Sequence, residues 1–275
     1  MRRRARQGPT TMTDTTRPDG DVVGRFHLEG VTKAFGGRTV VDIADLQLGA
    51  HGIEGIIGPN GAGKTTLMNV ITQARRPDSG RVIYRPHRDG GVELTGMKAD
   101  EIARLGVVKT NQIITDFENL TVRDSMLLSA ARPRYERFWV LNGEKTLRSD
   151  TRRDLARYLD YFRIEQPDDP ALSAGETKLL DIIRCLLLKP RFLLMDEPTA
   201  GLADDQTRRV MDLMTQLVAD EDISIVIVEH DLGVIWEICE FVHFMADGKI
   251  VEQGPPELIR TSKTVAAKYL GHDDG

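Results

Sequence analysis

The stretch GPNGAGKTT, at residues 58–66, decides how this chain folds. Residues 58–65 match the pattern GxxxxGK[ST], in which glycines allow successive backbone N–H groups to turn toward phosphate oxygens. In this pattern Lys64 reaches the terminal phosphates, and Thr65 places its hydroxyl on Mg²⁺. A helix that begins at such a loop adds its N-terminal dipole to the anion site. The stretch therefore predicts a phosphate-binding loop between a strand and a helix.

The residues on both sides of the loop have the periodicity that this prediction needs. GIEGIIG at 52–58 is a short apolar run typical of a buried strand, and LMNVITQARRP at 67–77 has helical spacing until its proline. Apolar and polar residues alternate along 25–48 on both sides of an FGGR turn. This pattern predicts two antiparallel strands, with 52–58 as a third strand beside them. Residues 81–96 are typical of a further hairpin.

Farther along the chain, apolar strands alternate with helices. Continuous apolar strands are predicted at RFLLMDEP (191–198) and ISIVIV (223–228). The segments around them have helical patterns and are 179–188, 205–219 and 232–240. Because buried strands separated by helices form parallel sheets, the pattern favours an α/β fold. FVHFMADGKIVEQG at 241–254 alternates around a DG turn and predicts a terminal hairpin.

The chain divides into one large domain with a helical insert. Residues 1–24 form a polar, Arg-rich start that we interpret as a disordered tail, with contact to anionic lipid as the alternative. Residues 25–271 form the domain, which contains a helical subdomain at about 120–188, and 272–275 form a short tail. The arginines of the subdomain are interpreted as a solvated face, with a dedicated basic site as the alternative.

Composition excludes several classes of function. A net charge of −5 and a pI near 5.7 provide no basic footprint, so nucleic acid is not an expected partner. Cys185 and Cys239 lie in apolar surroundings without metal-ligand spacing, so neither a disulfide framework nor a zinc site is expected. The apolar runs are far shorter than the roughly 20 residues of a spanning helix, so a role at a membrane is expected to require a partner.

Two carboxylates follow the strand at 191–198. Asp196 ends the strand and is expected to hold Mg²⁺ through water, and Glu197 is placed to act as general base for an attacking water. The alternative is a strand that ends in a solvated acidic turn. Because phosphoryl transfer needs positioning and charge neutralisation, a second carboxylate beside the phosphate loop favours the catalytic interpretation.

The segment LSAGE at 172–176 has the spacing of a capping box between Ser173 and Glu176. By itself this spacing indicates a well-formed helix start. The functional interpretation is that the Ser173 hydroxyl, the Gly175 backbone and the helix dipole form a second anion site. Two phosphate-binding surfaces in one chain would be used together if they faced each other across a dimer.

These motifs, in this order, resemble the nucleotide-binding subunit of an ABC transporter, and the resemblance covers essentially all of residues 25–271. It implies an α/β P-loop NTPase fold with a small antiparallel β-lobe and an α-helical insert. It also implies ATP and Mg²⁺ as ligands and ATP hydrolysis as the activity. The ATP-binding residues then assigned are Phe35, Gly58, Pro59, Asn60, Gly61, Ala62, Gly63, Lys64, Thr65 and Thr66.

The resemblance gives roles to other residues. Phe35 corresponds to the aromatic that stacks on adenine, Gln112 to the Q-loop glutamine near Mg²⁺, and His230 to the switch histidine at the γ-phosphate. Each has a plain alternative: a filler of the β-lobe, an ordinary loop amide, and a neighbour of a helix cap. The signature residues, which would contact ATP of the opposite subunit, are Leu172, Ser173, Ala174, Gly175 and Glu176.

The sequence departs from the commonest family pattern at two places. Ala174 and Glu176 replace Gly and Gln in the signature, although similar subfamilies have Glu there. In PTAGLAD at 198–204, Ala203 stands at the usual D-loop aspartate, with Asp204 next along. This second departure calls into question a contact between subunits at that loop.

AGL at 200–202, EHD at 229–231 and the pattern of the C-terminal tail resemble the ATPases of branched-chain (hydrophobic) amino acid importers and of similar urea or short-amide importers. This resemblance implies two membrane permease subunits as partners. It further implies a second ATP-binding subunit in a homo- or heterodimer, and a solute-binding protein that acts indirectly. Residues 113–120 and the helical insert would grip the permeases, and the chain would lie peripherally on the cytoplasmic face of the inner or plasma membrane.

Three other classes of function remain as alternatives. A soluble ABC ATPase that acts in assembly would share every motif, as would the ATPase of an ABC exporter. A small-molecule kinase would share the phosphate loop, but it would not need LSAGE or His230. Transfer of phosphate to an acceptor would identify the kinase.

Overall fold

The computed structural model describes residues 25–86, 90–110, 121–130, 141–169 and 171–270. The two predicted tails, Gln112 and the segment 113–120 lie outside these ranges.

The described residues form strands and helices that mostly follow the predicted order. The strands are β1 (Phe26–Phe35), β2 (Arg38–Leu48), β3 (Ile53–Ile57), β4 (Ser79–Tyr84), β5 (Val92–Glu93), β6 (Val107–Lys109), β7 (Phe192–Asp196), β8 (Ser224–Val228), β9 (Phe241–Ala246) and β10 (Lys249–Gly254). The helices are α1 (Lys64–Ile71), α2 (Ala99–Arg104), α3 (Val122–Ala130), α4 (Leu141–Phe162), α5 (Ala174–Leu187), α6 (Asp204–Asp220), α7 (Leu232–Ile238), α8 (Pro256–Arg260) and α9 (Lys263–Leu270).

Within the described ranges the strands form two sheets. The smaller sheet is antiparallel, in the order β2-β1-β4-β5, and forms a β-lobe. The larger has the order β10-β9-β3-β8-β7-β6, and its pairs from β9 to β6 are parallel, whereas β10 joins β9 as an antiparallel hairpin. This arrangement confirms the predicted α/β P-loop class with a small antiparallel lobe.

One predicted pairing is wrong. Residues 52–58 were expected beside the antiparallel strands, but β3 lies in the larger sheet between β8 and β9. The place beside β1 is taken by β4 instead. The physical reason is burial: every residue of β3 is buried, which suits the centre of a parallel sheet covered on both faces rather than the edge of a small lobe.

The parallel sheet separates two hydrophobic clusters. Because successive side chains of a strand point to opposite faces, Ile56 packs with the β-lobe and α1, and Ile57 packs with the helices on the other face. The second face also receives the predicted helical stripe, in which Leu155, Tyr158 and Phe162 are buried. On the same insert, Arg152 and Arg153 are exposed, as a solvated face requires.

A buried ion pair joins β3 to β9. Oε2 of Glu54 lies 3.1 Å from Nε2 of His243, and both side chains are at most 2% exposed. The backbone N–H of His51 donates to Oε1 of Glu54 at 2.9 Å. Burial would raise the pKa of Glu54, but the hydrogen bond and charge of His243, with backbone hydrogen bonds, outweigh burial and lower it. The strand that leads into the phosphate loop is thus fixed to its neighbour by a buried hydrogen bond.

Candidate functional site

The phosphate loop connects the end of β3 to the start of α1, as predicted. Gly58 has φ 152° and Gly63 has φ 104°, a region that favours glycine. A Cβ on Gly58 would lie 1.9 Å from the carbonyl oxygen of Met245, and one on Gly63 would lie 2.3 Å from that of Val40. Glycine is therefore required at both positions for conformation and for space.

The first turn of α1 leaves its backbone donors available for an anion. Its N-cap is Gly63, which has no side chain to cap the helix, and the turn contains no acidic residue. The first N–H groups of a helix have no partner within it, and the helix dipole is positive at that end. Thr65 and Asn60 are exposed beside this end, and Thr66 is half-buried. The geometry fits a phosphate group.

Lys64 is buried at the base of the loop. Its Nζ donates to the carbonyl oxygen of Gly58 at 2.6 Å and to that of Pro59 at 3.1 Å. Burial lowers the pKa of Lys64, while the nearby carboxylates of Glu197 and Asp196 act in the opposite direction. Of the predicted residues, Lys64, Asp196 and Glu197 are therefore within electrostatic reach of one another.

Asp196 ends β7 with both carboxylate oxygens buried. Neither oxygen has a hydrogen-bond partner among the described residues, and Nζ of Lys109 lies 3.4 Å from Oδ2. The backbone N–H of Asp196 donates to Oγ1 of Thr110 at 3.1 Å, which fixes the strand end. Because buried carboxylate oxygens without hydrogen bonds are costly, the residue fits a divalent cation, for which hard oxygen ligands are preferred. Sequence reasoning did not identify Lys109.

Glu197 follows in an unusual backbone conformation. Its φ of 51° is uncommon for a residue other than glycine, and such conformations are concentrated at functional sites. The carboxylate is about one-third exposed, and its Oε1 lies 3.0 Å from Nε2 of His230. The predicted base and the predicted switch histidine are thus brought together.

His230 itself lies two residues after the end of β8 and is half exposed. The next residue, Asp231, is the N-cap of α7 and accepts a hydrogen bond from the backbone N–H of Gly233 at 2.8 Å. His230 is therefore a neighbour of a helix cap, as the plain alternative had it, and it also contacts Glu197. The cap fixes the backbone from which the imidazole extends.

A second carboxylate, Glu229, fixes the turn formed by residues 197–200. It is 2% exposed, and its Oε1 accepts from the backbone N–H of Thr199 at 2.7 Å and from Oγ1 of Thr199 at 2.6 Å. The backbone N–H of Glu197 donates to the carbonyl oxygen of Val228 at 2.8 Å. Val228 and Glu229 thus accept hydrogen bonds from Glu197 and Thr199, whereas the backbone N–H of Ala200 donates to the carbonyl oxygen of Glu197 at 3.3 Å within the turn. The EHD motif drew attention to this glutamate in the sequence, but nothing in the sequence predicts that it contacts Thr199.

The signature segment (172–176) starts α5 with the predicted capping box. Oγ of Ser173 accepts from the backbone N–H of Glu176 at 3.2 Å and donates to Oε2 of Glu176 at 2.7 Å. These contacts with Ser173 lower the pKa of Glu176. Leu172 is half-buried, Ala174 is exposed and Gly175 is buried against Leu202 and Gln206. The segment therefore packs on the residues that precede and begin α6.

The remaining predicted residues lie on the β-lobe and at the start of α6. Phe35 ends β1 with 46% of its surface exposed, and Nζ of Lys33 lies 5.5 Å from the centre of its ring. It is therefore not a filler of the lobe core. Ala203 is the N-cap of α6, and Asp204 is exposed in the first turn. Gln112 lies outside the described residues, so its prediction stays untested.

The parallel register explains why these residues meet. β3, β8 and β7 are neighbours, and parallel strands end at the same edge of the sheet. A glycine loop leading into a helix at this edge, beside a buried aspartate, defines a P-loop nucleotide-binding protein.

Comparison with known proteins identifies the family. The ABC transporter family model matches residues 41–200, and the chain belongs to this family. It is an ATP-hydrolysing, ATP-binding cassette subunit.

The relatives cover nearly the whole chain. The high-affinity branched-chain amino acid transport ATP-binding protein BraF of Pseudomonas aeruginosa is 30% identical over 253 residues, covering 90% of this chain and 97% of BraF. LivG of Escherichia coli K12, with the same description, is 29% identical, covering 89% of this chain and 96% of LivG. The lipopolysaccharide export system ATP-binding protein LptB of Haemophilus influenzae is 28% identical, covering 88% and 95%.

Solved structures agree with this assignment. The ADP conformation of an ATP-binding cassette of an ABC transporter, MJ1267, has a TM-score of 0.72 and 26% identity, covering 90% of this chain and 98% of that structure. A nucleotide-free cassette has the same TM-score and 25% identity, covering 89% and 98%. Within the described ranges no helix is both long and apolar enough to span a bilayer.

Proposed function

We propose that this chain powers an ABC importer of branched-chain or other hydrophobic amino acids. The observation that carries the ATPase part is the meeting of Lys64, Asp196, Glu197 and His230 at one edge of the parallel sheet. The substrate class is supported by BraF and LivG, which are named for branched-chain amino acid transport and match the chain over almost their full lengths. Urea or short amides are the other substrates that the sequence favours.

The loop at 58–66 binds the phosphates of ATP in this proposal. The backbone N–H groups at the start of α1 donate to phosphate oxygens, and Lys64 supplies a positive charge once its ammonium turns from the loop carbonyls to the phosphates. Phe35 offers an exposed ring for stacking on the adenine. Binding therefore needs residues from both sheets.

Thr65, Asp196 and Gln112 would hold Mg²⁺, partly through water. When bound, Mg²⁺ neutralises charge on the phosphates and stabilises the charge that develops as the phosphoryl group leaves. The buried oxygens of Asp196, which have no hydrogen bond within the described residues, are the part of this set that supports a cation.

Glu197 acts as general base for the water that attacks the γ-phosphate. Its partly exposed carboxylate can accept a proton from water, and Nε2 of His230 lies 3.0 Å from its Oε1. In this proposal the same imidazole would contact the γ-phosphate. The two residues thus orient the water and the phosphate relative to each other.

Two such subunits, identical or different, close around two ATP molecules in this proposal. The signature segment of each subunit faces the ATP held by the other, and closure moves two membrane permeases served by a solute-binding protein. The chain is then a peripheral subunit on the cytoplasmic face of the membrane.

A second candidate function is that of an exporter ATPase. LptB favours this function, since it matches the chain over a similar length. A soluble assembly ATPase without permeases is the remaining alternative.

The identity of the partners tests the proposal. The full chain, tagged at its C-terminus, is purified from detergent-solubilised native membranes, and co-purifying polypeptides are identified by mass spectrometry. We expect polytopic permeases and, after mild cross-linking, a solute-binding protein. Permeases with lipid-handling partners would favour the exporter. Recovery with cytosolic partners alone would contradict transport and leave the ATPase assignment standing.

A further inference from the structure

Lys178 joins the signature helix to the turn that carries Glu197. It lies on α5, two residues after the capping box, and it is half-buried. Its Nζ donates to the carbonyl oxygen of Glu197 at 2.8 Å and to that of Ala200 at 2.6 Å. One ammonium group therefore binds both ends of the 197–200 turn. The family pattern gave no role to this residue.

The contacts of Lys178 complete the support of this turn. Three donors of the turn are satisfied by the end of β8 and the residue after it, since the N–H of Glu197 reaches Val228 and the N–H and hydroxyl of Thr199 reach Glu229. Lys178 supplies the matching contacts to two of its acceptors. A turn that holds Glu197 at φ 51° needs such support, because a residue with a side chain disfavours this conformation.

Glu229 and Lys178, which both bind the 197–200 turn, belong to different parts of the proposed mechanism. Glu229 precedes His230, so it links the turn to the switch histidine. Lys178 lies on the helix whose start is the signature segment, which faces the ATP of the opposite subunit in the proposed function. A charge-assisted hydrogen bond is shorter and stronger than a neutral one. Lys178 therefore gives α5 a direct contact with the backbone of Glu197.

We propose that Lys178 is a positioning residue that sets the direction of the Glu197 carboxylate and couples it to the signature helix. The proposal rests on the proposed function, in which Glu197 is the base and the signature segment contacts the second ATP. Lys178 itself touches neither the attacking water nor the phosphates in this role. Its removal should slow the chemical step and leave binding of ATP to the phosphate loop intact.

Three variants of the full chain test this role. Lys178→Met keeps the length of the aliphatic stem and removes both hydrogen bonds, and Lys178→Arg keeps a donor that can reach the same carbonyls. Lys189→Met is the matched control: it removes the same charge just after α5, where Lys189 is 63% exposed and pairs with Asp154 away from the turn. The readouts are kcat and KM for Mg·ATP, the Kd of a fluorescent ATP analogue, the melting temperature, and amide hydrogen exchange of the peptide containing 197–203.

For Lys178→Met we expect kcat to fall about 10- to 100-fold, the size of effect that a small misplacement of a catalytic group produces. KM, Kd and the melting temperature should stay close to those of the wild type. Exchange in the 197–203 peptide should accelerate without nucleotide, because Lys178 no longer supports the turn. Lys178→Arg should recover most of kcat, and Lys189→Met should resemble the wild type.

Several results would overturn the inference. A Lys178→Met variant with wild-type kcat would show that the contacts are dispensable, as would unchanged exchange at 197–203. A parallel loss of kcat, Kd and melting temperature would show a structural role only. Failure of the proposed function is recognised separately: Glu197→Gln would then keep wild-type turnover, while the exchange experiment, which does not depend on catalysis, would still report on the Lys178 contacts.

Discussion

The substitution Glu197→Gln separates the chemistry of the site from its architecture. Gln has nearly the same shape as Glu, and its amide oxygen can take the position of the carboxylate oxygen that lies 3.0 Å from Nε2 of His230. The side chain is 34% exposed, so no charge is removed from a sealed interior. We therefore expect the free energy of unfolding to stay within about 0.5 kcal/mol of the wild type.

The expected loss of rate follows from the role of the carboxylate. A positioned general base contributes about 100- to 10,000-fold to a rate. At about 1.4 kcal/mol for each factor of ten, its removal raises the activation free energy by about 3–5 kcal/mol. ATP binding should not weaken, because the substitution removes a negative charge from the vicinity of Lys64 and of the phosphates. Turnover and affinity are thus predicted to separate.

Turnover is measured as phosphate release at saturating Mg·ATP, and affinity with a fluorescent ATP analogue at equilibrium. The matched control is Glu237→Gln on α7, which removes the same charge from an exposed side chain that pairs only loosely with Arg208. The control should hydrolyse ATP at the wild-type rate. A Glu197→Gln variant that keeps turnover within threefold of the wild type would remove Glu197 as the base. A variant that loses affinity in step with turnover would refute the division of roles.

Three further predictions concern binding and stability. Lys64→Ala should weaken ATP binding at least tenfold, since a charge-assisted contact to phosphate is lost; an unchanged Kd would contradict our assignment of the loop. Phe35→Ala should raise the Kd for ATP severalfold and leave the melting temperature unchanged, because the ring is 46% exposed; a large fall in melting temperature would instead indicate a core residue. His243→Leu should lower the free energy of unfolding by about 3–5 kcal/mol at pH 7, because it strands the buried carboxylate of Glu54. The pKa of Glu54 is lowered in the folded chain, so the stability that this pair contributes is present above the ordinary glutamate pKa of 4.5 and is lost as pH falls through the folded pKa. Urea unfolding of the wild type and of His243→Leu at pH 7 and pH 4 should therefore show that the substitution costs less stability at pH 4. Equal costs at the two pH values would refute a charged pair.

The sequence predicts the elements and motifs whose residues lie close together along the chain. The loop at 58–66, the capping box at Ser173 and the strand before Asp196 were each found because their residues are adjacent or a few positions apart. The hairpin with turn 247–248 was found for the same reason, since both turn residues have positive φ, as a tight hairpin turn requires. These elements fixed the α/β class and most of the site.

The sequence does not predict which distant side chains meet. Lys178 reaches Glu197 across 19 positions, and Glu229 reaches Thr199 across 30. Neither contact has a periodicity or a spacing that a single sequence displays. The misplacement of residues 52–58 has the same origin, because an apolar strand is equally compatible with either sheet until burial on both faces decides.

The order of the strands explains how one turn comes to link so many parts of the site. β8 lies between β3, which leads into the phosphate loop, and β7, which carries the carboxylates. His230 therefore lies at the central strand end, from which it reaches Glu197, whereas Lys64 approaches the same carboxylate from β3. Because α5 contacts the far side of this turn through Lys178, a displacement of the signature helix moves the carboxylate relative to both other groups. Hydrolysis would then depend on the position of α5, the helix that the signature segment begins.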